Sequence, residues 1–215
     1  MTDREEVNEE EVVAALRAGD EAAFVKLVEM FNGTMLRVAM GFVSSRAVAE
    51  EVVQEAWLGV LKGLQAFEGR SSLKTWIFRI LTNIAKTRGQ REGRSVPFSS
   101  LDPREDEPVV DPSRFHPPDH PQWPNAWAAP PRSWSDVPED ALLSKETRTA
   151  VEKAIKSTPP SQRIVITLRD VDGWSSEEVC NALHITETNQ RVLLHRARSR
   201  VRAALERYLD GERVP

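Results

Sequence analysis

Arg191, Arg196, Arg198, Arg200 and Arg202 recur at helical spacing within HITETNQRVLLHRARSRVRAAL, residues 184–205, where they would line a rod with positive charge. Just ahead of them stand Thr188, Asn189 and Gln190. An Asn or Gln amide can bond adenine in a bidentate way and Arg can bond guanine, so the quartet Thr188 to Arg191 is equipped to read base edges. His195, Arg196, Arg198 and Arg200, farther along, suit the phosphate backbone. A second cluster, Lys74, Arg79, Asn83, Lys86 and Arg88, again mixes cations with an amide on one side of a helical pattern. Catalytic chemistry is not expected: there is no P-loop, no zinc ligand set and no nucleophile paired with a base. His116 and His120 have the spacing of a metal pair, but Pro117 and Pro118 forbid the helix that would converge them. No metal or cofactor is expected.

Two basic clusters contrast with the whole, since the 215-residue chain carries net charge −4 and a pI near 5.7. Residues 70–94 hold seven bases and one acid, Glu92. They are flanked by acid, with nine acids against three bases in residues 1–29 and nine against three in residues 95–140. Such asymmetry describes two places that meet a polyanion, held by parts that avoid it. Cys180 is the single cysteine, which excludes an internal disulfide and suits a reducing compartment. No apolar run approaches the roughly 20 residues that cross a bilayer, and the N-terminus is acidic where a signal peptide is basic. The expected location is the cytoplasm.

The elements behind these clusters read as all-α, in two small helical domains. Eleven of fourteen prolines fall between Pro97 and Pro138, where neither helix nor central strand can persist. Residues 95–140 are therefore a long linker, acidic and unusual in carrying Trp123, Trp127 and Trp134. Ahead of it, residues 20–94 form a helical bundle behind an acidic segment, 1–19. Phe24, Leu27, Val28, Phe31, Met35, Val38, Ala39 and Phe42 make one apolar stripe, and Val52, Val53, Ala56, Trp57, Val60, Leu61 and Leu64 another. Trp76, Ile77, Ile80, Leu81 and Ile84 turn a third helix inward, with Trp76 expected in the core. Residues 141–210 form the second domain. Pro159 and Pro160 open a helix that Gly173 follows, Ser175 and Glu178 compose a capping box, and Thr186 caps the arginine helix. Short helix, tight turn and longer basic helix make a helix-turn-helix, with His184 where the turn glycine usually stands.

The stretches AVAEEVVQEAWLGVLKGLQAFEGRSSLKTWIFRILTNIAKTRGQRE and LLSKETRTAVEKAIKSTPPSQRIVITLRDVDGWSSEEVCNALHITETNQRVLLHRARSRVRAAL resemble regions 2 and 4 of bacterial RNA polymerase sigma factors. Having both without an intervening region 3 resembles the extracytoplasmic-function (ECF) group of the sigma-70 family. The resemblance implies that Glu51, Gln54 and Glu55 face the clamp helices of the polymerase largest subunit. It implies that Lys74, Arg79, Asn83, Lys86 and Arg88 meet the melted −10 strand. The −35 duplex would fall to Thr188, Asn189, Gln190, Arg191, His195, Arg196 and Arg198. Core RNA polymerase, including the flap of its second largest subunit, promoter DNA and an anti-sigma factor are the implied partners. Gln190 departs from the family pattern, standing where many members place an inward valine. A stand-alone helix-turn-helix regulator is the alternative; it leaves the Glu51–Glu55 helix without work.

Overall fold

The computed structural model describes residues 9–93 and 145–209, with 114–117, 119–124, 126 and 128 of the stretch between. Its elements are helical, as the apolar periodicity predicts. The first set comprises α1 (Glu9–Arg17), α2 (Glu21–Ala39), α3 (Arg46–Gly63) and α4 (Leu73–Arg91). Local chemistry starts them: the Asp20 carboxylate accepts from the Ala22 and Ala23 N–H groups, Ser45 from Val48 and Ser72 from Thr75. The predicted stripes then close a core in which Met35, Val38, Ile77, Phe78 and Leu81 are fully buried. Trp76 packs obliquely on Phe67 at 4.9 Å between centroids, in keeping with a structural role. Leu61 departs from expectation, being 48% exposed, because the core is filled by Val60 and Leu64 on either side.

α1 lies in the stretch set apart as an acidic segment, yet it belongs to this bundle. Val13 and Leu16 are buried, Arg17 donates to the carbonyls of Leu64 and Phe67, and Glu9 accepts from the Leu73 N–H at the start of α4.

The second set comprises α5 (Lys145–Ser157), α6 (Pro160–Ile166), α7 (Ser176–Leu183) and α8 (Glu187–Leu209). α6 runs into a π turn, Thr167–Val171, before Gly173 reverses the chain at φ 71°. The capping box of Ser175 and Glu178 is complete, and Thr186 accepts from the Asn189 N–H at 3.2 Å. His184 ends α7 in the left-handed region at φ 57°, the conformation that usually selects glycine.

The two sets share one continuous core. Trp174, 4% exposed, meets Phe78 of α4 edge-on at 4.6 Å between centroids, and Phe78 in turn meets Phe31. Gly41 lies so close to α6 that a Cβ there would stand 2.5 Å from Ile164 Cγ1. Beside it, Arg37 and Thr34 bond the Asp172 carboxylate. Part of the proline-rich stretch lies against α8, where Arg114 pairs with Glu206 at 2.7 Å. The His116 and His120 rings lie tilted at 4.1 Å between centroids, and His120 Nδ1 accepts from the Trp123 N–H at 3.1 Å. Trp123 is 59% exposed; Trp127 and Trp134 lie outside the described residues.

Phe78→Ala removes a side chain that contacts both helix sets. It is expected to lower the unfolding free energy by about 3–5 kcal/mol, measured by urea denaturation.

Candidate nucleic-acid interface

α4 presents its chemistry on two sides. Asn83 is exposed and shares a shallow cleft with Glu55, Thr87, Arg88 and Arg91, bounded by α3. Arg88 crosses to α3 and pairs with Glu51. The other side meets α7. Lys74 Nζ lies 2.5 Å from Glu178 and 4.6 Å from the centroid of the Trp174 ring, a salt bridge with a cation–π contact beneath it. Thr82 Oγ1 donates to the Ala182 carbonyl at 2.9 Å, and Lys86 Nζ donates to the Leu183 carbonyl at 2.9 Å. Those carbonyls belong to the last turn of α7, the negative end of its dipole, so a lysine bonded there is favourably placed. Arg79 is half-buried beside His184. Of the five residues assigned to the melted strand, Lys74, Lys86 and Arg88 thus have protein partners, and Asn83 is presented to solvent.

α3 keeps a separate outward stripe. Glu51, Gln54 and Glu55 are exposed, and Leu58 and Leu61 continue their line at 56% and 48% exposure. The two leucines had no functional place in the sequence; Leu58 follows Glu55 by three residues and Gln54 by four, and Leu61 follows Leu58 by three, which is the signal that puts them on that face. An apolar pair beside carboxylates is the composition of a docking surface.

The recognition helix α8 resolves the seven −35 candidates into groups. Thr188, Arg191 and His195 are exposed at spacings of three and four, so they share one outward face, with Arg191 braced by Glu187 at 2.8 Å. Asn189 and Arg196 are half-buried on its flanks. Gln190 does not belong to the reading face: it is 2% exposed, and its Oε1 accepts from Ser176 Oγ at 3.1 Å. Its amide joins α8 to α7, an inward role. Arg198, exposed three residues beyond His195, makes two bonds of 2.8 and 2.7 Å to the Asp170 carboxylate after α6, which also raises its pKa. That pair braces the helix-turn-helix against the turn after α6, while the Arg198 side chain stays 57% exposed.

Burial would raise the Glu178 pKa, but bonds from Lys74 and Ser175 outweigh it and hold the carboxyl below its ordinary range. His184 is lowered, by burial first and then by the cations Arg79 and Lys86. Burial pushes the Cys180 thiol up, which leaves it in its inert protonated form rather than as a reactive thiolate.

With this geometry the comparisons agree. Residues 27–95 match Sigma-70 region 2, and residues 148–201 match Sigma-70, region 4. The chain is 30% identical over 197 residues to the ECF RNA polymerase sigma-E factor of Escherichia coli K12, covering 92% of this chain and 94% of the relative. It is 28% identical over 200 residues to the RNA polymerase sigma-H factor of Pseudomonas aeruginosa, with the same coverage. Among solved structures, CnrH in complex with the cytosolic domain of CnrY superposes with a TM-score of 0.54 at 16% identity, over 95% of this chain and 98% of that one. RpoE from Bartonella quintana in complex with the anti-sigma factor NepR gives 0.52 at 21% identity, over 85% and 96%. The chain belongs to the sigma-70 family of RNA polymerase sigma factors. Within that family its relatives place it in the extracytoplasmic-function group, and its activity is to direct transcription initiation.

Because the α4–α7 contact favours neutral His184, its contribution is intact above pH 6.5 and is lost as pH falls below that value. Glu178, with its lowered pKa, gives way only in stronger acid, below 4.5. Hydrogen exchange at α7 amides, corrected for intrinsic rate, is expected to accelerate through the first window, and His184→Gln to abolish that step.

Proposed function

We propose that three surfaces divide the work of initiation. The exposed stripe of Glu51, Gln54, Glu55, Leu58 and Leu61 docks on the clamp helices of the polymerase largest subunit. Asn83, with Lys74, Arg79, Lys86 and Arg88 around it, takes the melted −10 strand. The outward face of Thr188, Arg191 and His195 reads the −35 duplex, with Asn189 and Arg196 at its edges. The observation that carries this reading is the shared exposure of Thr188, Arg191 and His195 on a helix whose inner face is fixed by Gln190. A helix-turn-helix enters the major groove with the first residues of its second helix, and those are the residues presented.

The modules are helices α1–α4 with residues 9–93, and α5–α8 with residues 145–209. Binding energy alone supports strand opening, since bases taken out of the stack are captured and the melted state is trapped; RNA synthesis belongs to the polymerase, and this subunit is not an enzyme. No helix among the described residues is long and apolar enough to cross a membrane, which agrees with action beside the polymerase in the cytoplasm. By analogy with the relatives solved with CnrY and NepR, an anti-sigma factor is proposed as a further partner.

Run-off transcription from genomic promoter fragments, with purified core polymerase, tests the assignment. The chain is expected to yield discrete new transcripts. Arg191→Ala should weaken them by about tenfold, equivalent to about 1.4 kcal/mol, and relax sequence preference. Glu55→Ala combined with Leu58→Asp should abolish assembly with the core enzyme on a sizing column. Transcripts that are indifferent to all three changes would overturn the placement of these surfaces.

A further inference from the structure

α1 precedes the segment that matches region 2, yet its two ends hold the two ends of one connection, the one that joins α3 to α4. Where α3 ends, Arg17 donates from Nε to the Leu64 carbonyl at 3.3 Å and from a terminal nitrogen to the Phe67 carbonyl. The Gln65 amide donates back to the Arg17 carbonyl at 3.3 Å. Where α4 begins, Glu9 accepts from the N–H of its first residue, Leu73. Between these points the connection has little of its own to fix it: no residue from Glu68 to Ser72 is buried, and Gly69 turns the chain at φ 69°. We propose that Arg17 and Glu9 are positioning residues for promoter opening, and that α1 is a splint that keeps the −10 face of α4 at a set angle to the polymerase-docking stripe of α3. The proposal rests on the reading of those two surfaces.

The charges suit their posts. Arg17 stands at the C-terminal end of α3, where unbonded carbonyls leave partial negative charge, and Glu9 stands at the N-terminal end of α4, where unbonded N–H groups leave positive charge. The rigid guanidinium fork serves two carbonyls at once, which an ammonium on a flexible stem does not do in a fixed geometry. Spacing suits them too. Glu9 and Arg17 are the first and last residues of α1, about 12 Å apart along its axis at about 1.5 Å per residue, and Val13 and Leu16 seat the rod in the core between them.

These bonds go to main-chain atoms of the connection, so they set where α4 starts while leaving Glu55, Leu58 and Asn83 exposed for partners. At its other end α4 is tied separately, through Arg88 to Glu51 and through Glu92 to the Ser44 N–H at 2.9 Å. A helix held to its neighbour at both ends keeps its angle; with the splint cut, α4 retains only the far tie and its apolar packing.

The splint is tested in the holoenzyme, with purified core polymerase and a promoter that the wild-type chain transcribes. Arg17→Ala and Glu9→Ala each sever one end. Both are expected to assemble with core polymerase on a sizing column and to retain a −35 duplex fragment at wild-type affinity, while permanganate reactivity of thymines in the melted −10 strand falls about tenfold. Glu9→Gln keeps an acceptor for the Leu73 N–H and should restore that reactivity, whereas Arg17→Lys, which keeps the charge but not the fork, should restore it in part. If Arg17→Ala fails to fold, Glu9→Ala with its Gln rescue decides. Normal melting in the alanine variants overturns the splint. An equal loss of assembly, −35 affinity and melting makes α1 an ordinary part of the bundle and overturns it as well. An Asn83→Ala, Lys86→Ala holoenzyme that opens promoters normally overturns instead the −10 reading on which the splint rests.

Discussion

A helix face rich in cations cannot be covered by protein unless anionic or carbonyl oxygen stands opposite them. α4 meets that constraint through α7, whose Glu178 carboxylate and terminal carbonyls stand opposite Lys74, Thr82 and Lys86. The rest of the arrangement depends on this match. Trp174 can bury itself against Phe78 because the lysine above it is paired, and this aromatic seat carries the core across both modules together with Ile164 over Gly41. Without the oxygen atoms of α7, burying this face would strand charge, and the two helix sets would share only their apolar edges and the bonds of Arg37 and Thr34 to Asp172.

Exposure follows the same logic. The outward stripes of α3 and α8 combine charge with reach and stay at the surface, even where a neighbour pairs with one of their charges, as Arg88 does with Glu51 and Glu187 with Arg191. Their compositions differ in kind. α3 shows carboxylates with leucines, which suits a protein partner, while α8 shows threonine, histidine and arginine, which suits DNA. A sigma factor must address both.

Much of this was legible in the sequence wherever partners lie within one helical turn. Ser175 with Glu178, Thr186 ahead of Asn189, and His184 in the glycine position of the turn are local arrangements, and the structure places each as the pattern implied. Gln190 was misassigned because what occupies it lies farther away, Ser176 being 14 residues off, and the Asp170 partner of Arg198, 28 residues off, was equally out of view. An amide or guanidinium has the same formula whether it faces a base, a phosphate or a neighbouring helix. The joining of the modules was invisible for the stronger reason that Thr82 and Ala182 stand 100 residues apart, across a stretch whose prolines suggest only separation. Leu61 illustrates the converse, since periodicity names a face but does not say how much of it the core can cover.

The π turn at Thr167–Val171 leaves Asp170 and Asp172 pointing to different neighbours, one to Arg198 within its own module and the other to Arg37 in the opposite one. These two bonds depend on the number of residues between them and Ile166, not merely on their charge. Chain length in this short span is therefore fixed: deleting or inserting one residue would rotate both carboxylates away from their arginines together. Few segments of the chain should be as intolerant of indels, and variation in length should collect instead in the proline-rich connection, where no such phase has to be kept.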